Sequence, residues 1–252
     1  MRPWGFEAMV LIFFQKNQKS GLSTLKNVSG LLQKIEIFCT FFVVTLVVAL
    51  LTPASLACAD DLAVSRFSVE GLVGWTPKKF AGTTDYRLVN ENGRVAVKAT
   101  SNAAASGLIK EMRFNPATYR YLRWSWKINH TIKGGDERSK AGDDYAARLY
   151  IVFPGRFFWQ MKAINYIWAN ILPKGESIPN PYAAGVMMIA VESGPAEAGQ
   201  WRTEERDIAA DYRSLFGEEP EEATAIAIMT DTDNTGGSAT AWYGEITLST
   251  KP

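Results

Sequence analysis

Residues 223–248 read ATAIAIMTDTDNTGGSATAWYGEITL. Ala223–Thr230 is apolar enough to form a buried strand. Asp231-Thr232-Asp233-Asn234-Thr235-Gly236-Gly237 then packs hydrogen-bonding side chains and two glycines into one turn, the composition of a shaped loop. Ala239–Leu248 returns with Trp242 and Tyr243. The stretch predicts the closing hairpin of a jelly-roll domain.

Strand signals recur along the chain. Tyr86–Asn90 and Arg94–Ala99 flank Glu91-Asn92-Gly93, where Asn-Gly supplies the positive φ that a tight hairpin needs. Ser106–Arg113 is a further candidate. Tyr121–Ile128 alternates, with Leu122, Trp124, Trp126 and Ile128 on one face and Arg123, Ser125 and Lys127 on the other. Tyr145–Phe153, Ala184–Val191 and Trp201–Asp207 complete the series. Strand follows strand without βαβ alternation, so the expected fold is all-β, a two-sheet antiparallel β-sandwich of jelly-roll type. Two short helical insertions are expected. Phe157, Met161, Ile164, Trp168 and Ile171 recur at steps of four and three, one stripe of a helix. Asp207–Phe216 is the second, with Asp207 as N-cap and Gly217 as its stop. No repeat or low-complexity linker divides residues 60–252, which read as one domain.

Residues 1–59 read as a leader. Ile37–Leu51 is an uncharged apolar run preceded by Lys26 and Lys34 and followed by Ala57-Cys58-Ala59, the pattern of a secretory signal peptide cleaved after Ala59. The run is short for a membrane span, which needs about 20 residues. Ser55-Leu56-Ala57-Cys58 keeps a lipoprotein alternative open, with Cys58 acylated. The leader holds five of the 27 basic and two of the 26 acidic residues, which leaves 22 and 24 in the mature chain. That balance argues against nucleic acid as a partner. Both cysteines, Cys39 and Cys58, leave with the leader, so the domain must rely on its apolar core. The expected location is periplasmic or secreted.

The strongest polar constellation is Gly142-Asp143-Asp144-Tyr145-Ala146-Ala147-Arg148-Leu149-Tyr150. Alternation sends Tyr145, Ala147, Leu149, Ile151 and Phe153 to the core and Asp144, Arg148 and Tyr150 to the other face. Arg148, joined by Arg123 and Ser125, would line a groove on the concave face of the sandwich, with Tyr150 as a stacking surface. The competing reading is an internal ion pair of Arg148 with Asp144 or Asp231. Asp231 and Asp233 invite structural calcium, because hard cations want clustered carboxylates. The EF-hand template fails, since Trp242 stands where the bidentate Glu is needed, so no metal or cofactor is expected and the turn reads as held by its own hydrogen bonds. Glu204 and Glu205 offer carboxylates for glycoside hydrolysis. His130 is the only histidine and supports neither a multi-His zinc site nor a triad. The Phe157–Ile171 helix would cover an open end of the sandwich or meet a membrane, a partner or a ligand.

A set of motifs goes further: Ser106-Gly107-Leu108, Trp124-Ser125-Trp126-Lys127, Gly142–Tyr150 as above, Tyr166-Ile167-Trp168, Arg206-Asp207 with Asp211-Tyr212-Arg213, Phe216-Gly217 and Thr230-Asp231-Thr232-Asp233-Asn234-Thr235. Together they resemble a bacterial exported family known as domain of unknown function 3047, across about Phe67 to Ile246. The resemblance implies a secreted bacterial protein and no particular reaction. The Asp-Thr-Asp-Asn-Thr turn is also similar to turns in carbohydrate-binding jelly rolls and galactose-binding-like domains.

The expected function is non-catalytic binding of a polar ligand, a glycan or envelope polysaccharide, on the concave sheet face. Arg123, Asp144, Arg148 and Tyr150 would line the site, and Asp231 and Asp233 would shape its rim. Two alternatives stand beside it. One is an envelope glycan hydrolase or lyase using Asp144, Asp231 or Glu205. The other is a structural or assembly protein of the envelope, which would meet its partner through the aromatic helix. Membrane association would run through a lipidated Cys58 or that helix.

Overall fold

The computed structural model describes residues 61–252 apart from 156, 158 and 159. The leader, its cleavage site and Cys58 therefore lie outside the described residues, as do Phe158 and Trp159. The chain runs β1 (Leu62–Ser65), α1 (Phe67–Glu70), β2 (Trp75–Ala81), β3 (Asp85–Glu91), β4 (Arg94–Asn102), β5 (Ala105–Phe114), β6 (Tyr121–Ile128), β7 (Arg148–Phe153), β8 (Lys162–Ala169), β9 (Ser177–Pro179), β10 (Val186–Ser193), β11 (Arg202–Asp207), α2 (Ile208–Phe216), β12 (Ala223–Asp231) and β13 (Ser238–Ser249). A six-stranded sheet has the order β11-β6-β13-β4-β3, with β1 also on β13. A seven-stranded sheet has the order β2-β5-β12-β7-β8-β10-β9. The two pack as the expected sandwich. Among the described residues all pairings are antiparallel except β8 with β10. Among the described residues no helix is long and apolar enough to cross a membrane.

Local signals explain the elements that form as expected. Glu91 pairs with Arg94 across Asn92 (φ 54°) and Gly93 (φ 86°), the left-handed pair of a two-residue hairpin. Asp207 caps α2 by accepting from the Ala210 N–H at 3.0 Å, and Gly217 (φ 73°) ends it. Leu122, Trp124, Trp126 and Ile128 are buried between the sheets. There Trp124 meets Tyr166 at 5.3 Å and Trp126 meets Trp168 at 6.0 Å between ring centroids, which locks one sheet on the other.

Two expectations are corrected. The closing hairpin is not a hairpin: β12 lies inside the seven-stranded sheet and β13 inside the six-stranded one, so residues 232–237 carry the chain between sheets. Each strand is flanked on both sides by other strands, which leaves them no shared edge. Among the described residues the Phe157–Ile171 helix does not form, and β8 occupies most of its span. Ile164, Tyr166 and Trp168 face the inter-sheet core, while Ala163, Ile167 and Ala169 face outward under other cover. A strand buried on both faces is apolar throughout, and its run mimics a helical stripe. The other α-helix among the described residues, besides α2, is the four-residue α1.

Candidate functional site

The candidate site lies on the outer face of the seven-stranded sheet. On β7, Leu149, Ile151 and Phe153 enter the inter-sheet core, which turns Arg148, Tyr150 and Val152 outward. The outward floor is built of small side chains: Ala225 and Ala227 on β12, Ala163 on β8 and Ala105 on β5. It is not open surface, because Tyr150 and Val152 are buried in a cluster against which Phe80 and Tyr182 pack.

Arg148 is 3% exposed and Asp231 1%. Asp231 stands two residues beyond Met229, the register partner of Arg148, so the two side chains share a face and a diagonal. Arg148 Nη2 donates to Asp231 Oδ2. Asp143 Oδ2 lies 4.0 Å from Arg148 Nη1, and the guanidinium carbon sits 4.5 Å from the Tyr145 ring centroid and 5.8 Å from that of Tyr150. Asp143 accepts from Tyr145 OH at 3.0 Å and Asn180 Nδ2 at 3.1 Å. Asp144 does not sit on the strand as alternation predicts. It lies in the loop before β7 and holds the inter-sheet turn by accepting from the Thr235 N–H at 2.7 Å and the Asn234 N–H at 3.2 Å. That loop is tightly folded: a Cβ on Gly142 would come within 2.4 Å of Asp136 N.

Asp231 and Asp143 thus stand against one guanidinium, and Asp144 and Asp233 cluster with Asp231. Burial raises the pKa of Asp231 well above the ordinary carboxylate value. The charge of Arg148 pulls it down, and Asp144, Asp143 and Asp233 push it further up. Burial likewise raises Asp143 against the opposing pull of Arg148, and raises Asp233 with help from Asp144. Burial works against the Arg148 charge, but Asp231, Tyr150 and Asp143 outweigh it and hold the guanidinium ionised. Asp144, Asp231 and Asp233 offer oxygens within 4.8 Å of one another, a donor set suited to a hard cation.

Sequence reasoning missed three members. Asn165 on β8 stands opposite Tyr150 on β7 and Met188 on β10, fully buried. Among the described residues neither its Nδ2 nor its Oδ1 makes a hydrogen bond, and the same holds for Arg148 Nε and Nη1 and for Asp231 Oδ1. Tyr182 stands at the rim, its hydroxyl donating to Asn234 Oδ1 at 2.8 Å, and Asp143 is the third. The one signal for Asn165 was a lone amide inside an apolar run.

The structure brings Asp144, Arg148, Tyr150, Asp231 and the half-buried Asp233 together, and leaves Arg123 out. Arg123 lies on β6 of the other sheet, where its Nε donates to Glu205 at 2.5 Å. Alternation assigns a face within a strand but not the sheet to which the strand belongs. Glu205 is separated from Asp144 and Asp231 in the same way, so it cannot pair with either in a two-carboxylate mechanism.

Residues 73–247 match the family described as "Protein of unknown function (DUF3047)". The chain belongs to that family. The DUF3047 match covers β2 to most of β13, and so all the site residues above. Comparison with curated proteins finds no match. Among solved structures, the chain is similar to the family 11 carbohydrate-binding module of cellulosomal cellulase Lic26A-Cel5E of Clostridium thermocellum, with 12% identity, 77% of this chain and 96% of that chain covered, and a TM-score of 0.40. It is also similar to the xyloglucanase domain of NopAA from Sinorhizobium fredii (10% identity, 71% and 93% covered, TM-score 0.39). A third is the CBM22-1 xylan-binding domain from Paenibacillus barcinonensis Xyn10C (10% identity, 71% and 87% covered, TM-score 0.31). Likenesses this distant carry no argument about ligand or chemistry.

Proposed function

We propose that this DUF3047 protein is an exported, non-catalytic binder of a polar ligand, a glycan or envelope polysaccharide, held on the outer face of the seven-stranded sheet by Arg148, Asn165, Tyr150 and Asp231. One observation carries the reading: on that face a guanidinium, an amide and a carboxylate are buried with donor and acceptor atoms that make no hydrogen bond among the described residues. Buried polar atoms in folded proteins are nearly always paired, and each exception costs about 1–3 kcal/mol. A ligand that supplies the missing partners offsets that cost. Hydroxyl-rich ligands suit the set because each sugar hydroxyl both donates and accepts, answering Arg148 Nε and Nη1, Asp231 Oδ1 and the two ends of the Asn165 amide. Tyr182 and Asp233 beside it are half-buried. The signal-like leader of residues 1–59 supports export to the periplasm or beyond.

The test is Arg148→Lys. Lysine keeps a positive charge for Asp231 but has no planar fork for a second, directional pair of bonds. Glycan-array screening followed by calorimetry should find a ligand for the wild type, and at least a tenfold loss in the variant with an unchanged thermal midpoint. Equal affinity in the two proteins overturns the assignment.

A further inference from the structure

The other sheet carries a depression that the reading above does not use. It encloses about 320 Å³ on the outer face of the six-stranded sheet, within the range of small-molecule sites of roughly 300–1,000 Å³. A β-bulge creates it. The pairing of β13 with β6 shifts register between Tyr243 and Ile246. At the same place the neighbour of β13 on its other side changes from β4, paired up to Tyr243, to β1, paired from Ile246. Gly244 sits at this break, and a Cβ there would come within 2.2 Å of Ser125 Oγ. The bulge therefore brings the backbone close to Ser125 and parts β13 from β4 beside it.

The lining brings two guanidinium groups and one carboxylate together with several hydroxyls. Arg94, Arg123, Ser125, Thr203, Thr247 and Glu245 face the space. Thr203 and Thr247 flank β6 from either side, in register with Ser125 and Arg123. Arg123 is held by Glu205 and by the Lys251 carbonyl. Glu245 accepts from Ser68 Oγ. Arg94 has no carboxylate partner among the described residues; its guanidinium stacks 4.5 Å over the Trp201 ring, an arrangement that leaves the N–H edge available. The hydroxyls of Ser125, Thr203 and Thr247 likewise have no side-chain hydrogen bond among the described residues.

We infer that this depression is a second binding site, specific for a carboxylate-bearing sugar unit, whose carboxylate is taken by Arg94 with Arg123 beside it and whose ring hydroxyls meet Ser125, Thr203 and Thr247. A stacked guanidinium with a free edge matches a carboxylate in a paired, planar geometry. The inference does not depend on the Arg148 site, which lies on the opposite sheet.

The test is calorimetry of the full chain with a galacturonate tetramer, its methyl-esterified neutral form, and inorganic sulfate, together with amide chemical-shift mapping. The acidic tetramer should bind at least tenfold more tightly than the ester, with affinity falling as salt rises. Its shifts should centre on Ser125, Thr203 and Thr247. Arg94→Ala should weaken it at least tenfold, Arg94→Lys by less, and Thr203→Val, which leaves every charge in place, severalfold. The inference is overturned if the ester binds as well as the acid, if sulfate binds as tightly as the tetramer, if both Arg94→Ala and Thr203→Val leave affinity unchanged, or if the shifts fall only on the seven-stranded sheet.

Discussion

Replacing Asn165 with Leu should make the protein more stable. The side chain is fully buried in the middle of β8, between Tyr150 and Met188, and both ends of its amide are unbonded among the described residues. Leucine has nearly the same shape and no polar atoms. The change removes a desolvated, unpaired amide whose cost is about 1–3 kcal/mol and adds apolar contact between Tyr150 and Met188 on the flanking strands. A domain of this size gains about 2–4 °C in midpoint per kcal/mol, so a rise of roughly 5 °C is expected. Urea unfolding followed by tryptophan fluorescence, with calorimetric melting as a second measure, reads the effect. The slope against denaturant should not change, since the fold does not. The same variant should lose ligand affinity, the exchange of stability for function expected of a binding residue. Destabilisation by more than about 1 kcal/mol would refute the reasoning, because it would mean that the amide is already engaged inside the fold.

Other substitutions test the remaining parts. Arg148→Ala strands the buried Asp231 carboxylate and should cost about 3–5 kcal/mol at neutral pH, less in acid where Asp231 takes a proton; equilibrium unfolding at two pH values checks this. Trp126→Ala should cost about 3–5 kcal/mol, since the ring is fully buried against Trp124 and Trp168; a denaturant midpoint that hardly moves would contradict its place in the core. Asp143 has a folded pKa raised by burial, so its contribution is full below about pH 4 and declines as pH rises through the folded value. Asp143→Asn should flatten stability against pH across that window, and an unchanged slope would count against it. Protein recovered from an export-competent host should begin near Asp60 on N-terminal sequencing, whereas a chain that retains Ile37–Leu51 would rule out cleavage after Ala59.

What could be read in advance depended on whether a strand has one buried face or two. Tyr121–Ile128 has a polar side, so its alternation placed Trp124 and Trp126 in the core and gave the strand its observed bounds. The Asn92-Gly93 turn was legible because few residues accept positive φ. In β8 both faces are buried, the period of two disappears, and the run reads as a helix. The site was legible in part. Arg148, Tyr150 and Asp231 stand out as polar or aromatic breaks in apolar strands, and Asp144 was found for its charge although it sits in a loop. Asn165 carries the same kind of signal but was hidden by the helical misreading of its strand. Arg123 lies on the other sheet because sheet membership depends on long-range pairing, about which a single strand says nothing.

The most direct test of the central claim is the side-chain resonances of Asn165 and Arg148 in isotope-labelled protein, followed as envelope polysaccharide fragments are added. If the outer face of the seven-stranded sheet holds the ligand, the Asn165 Nδ2 protons and the Arg148 Nε proton should shift together and saturate at the concentration that saturates binding by calorimetry. Binding that saturates while both signals stay in place would contradict the account.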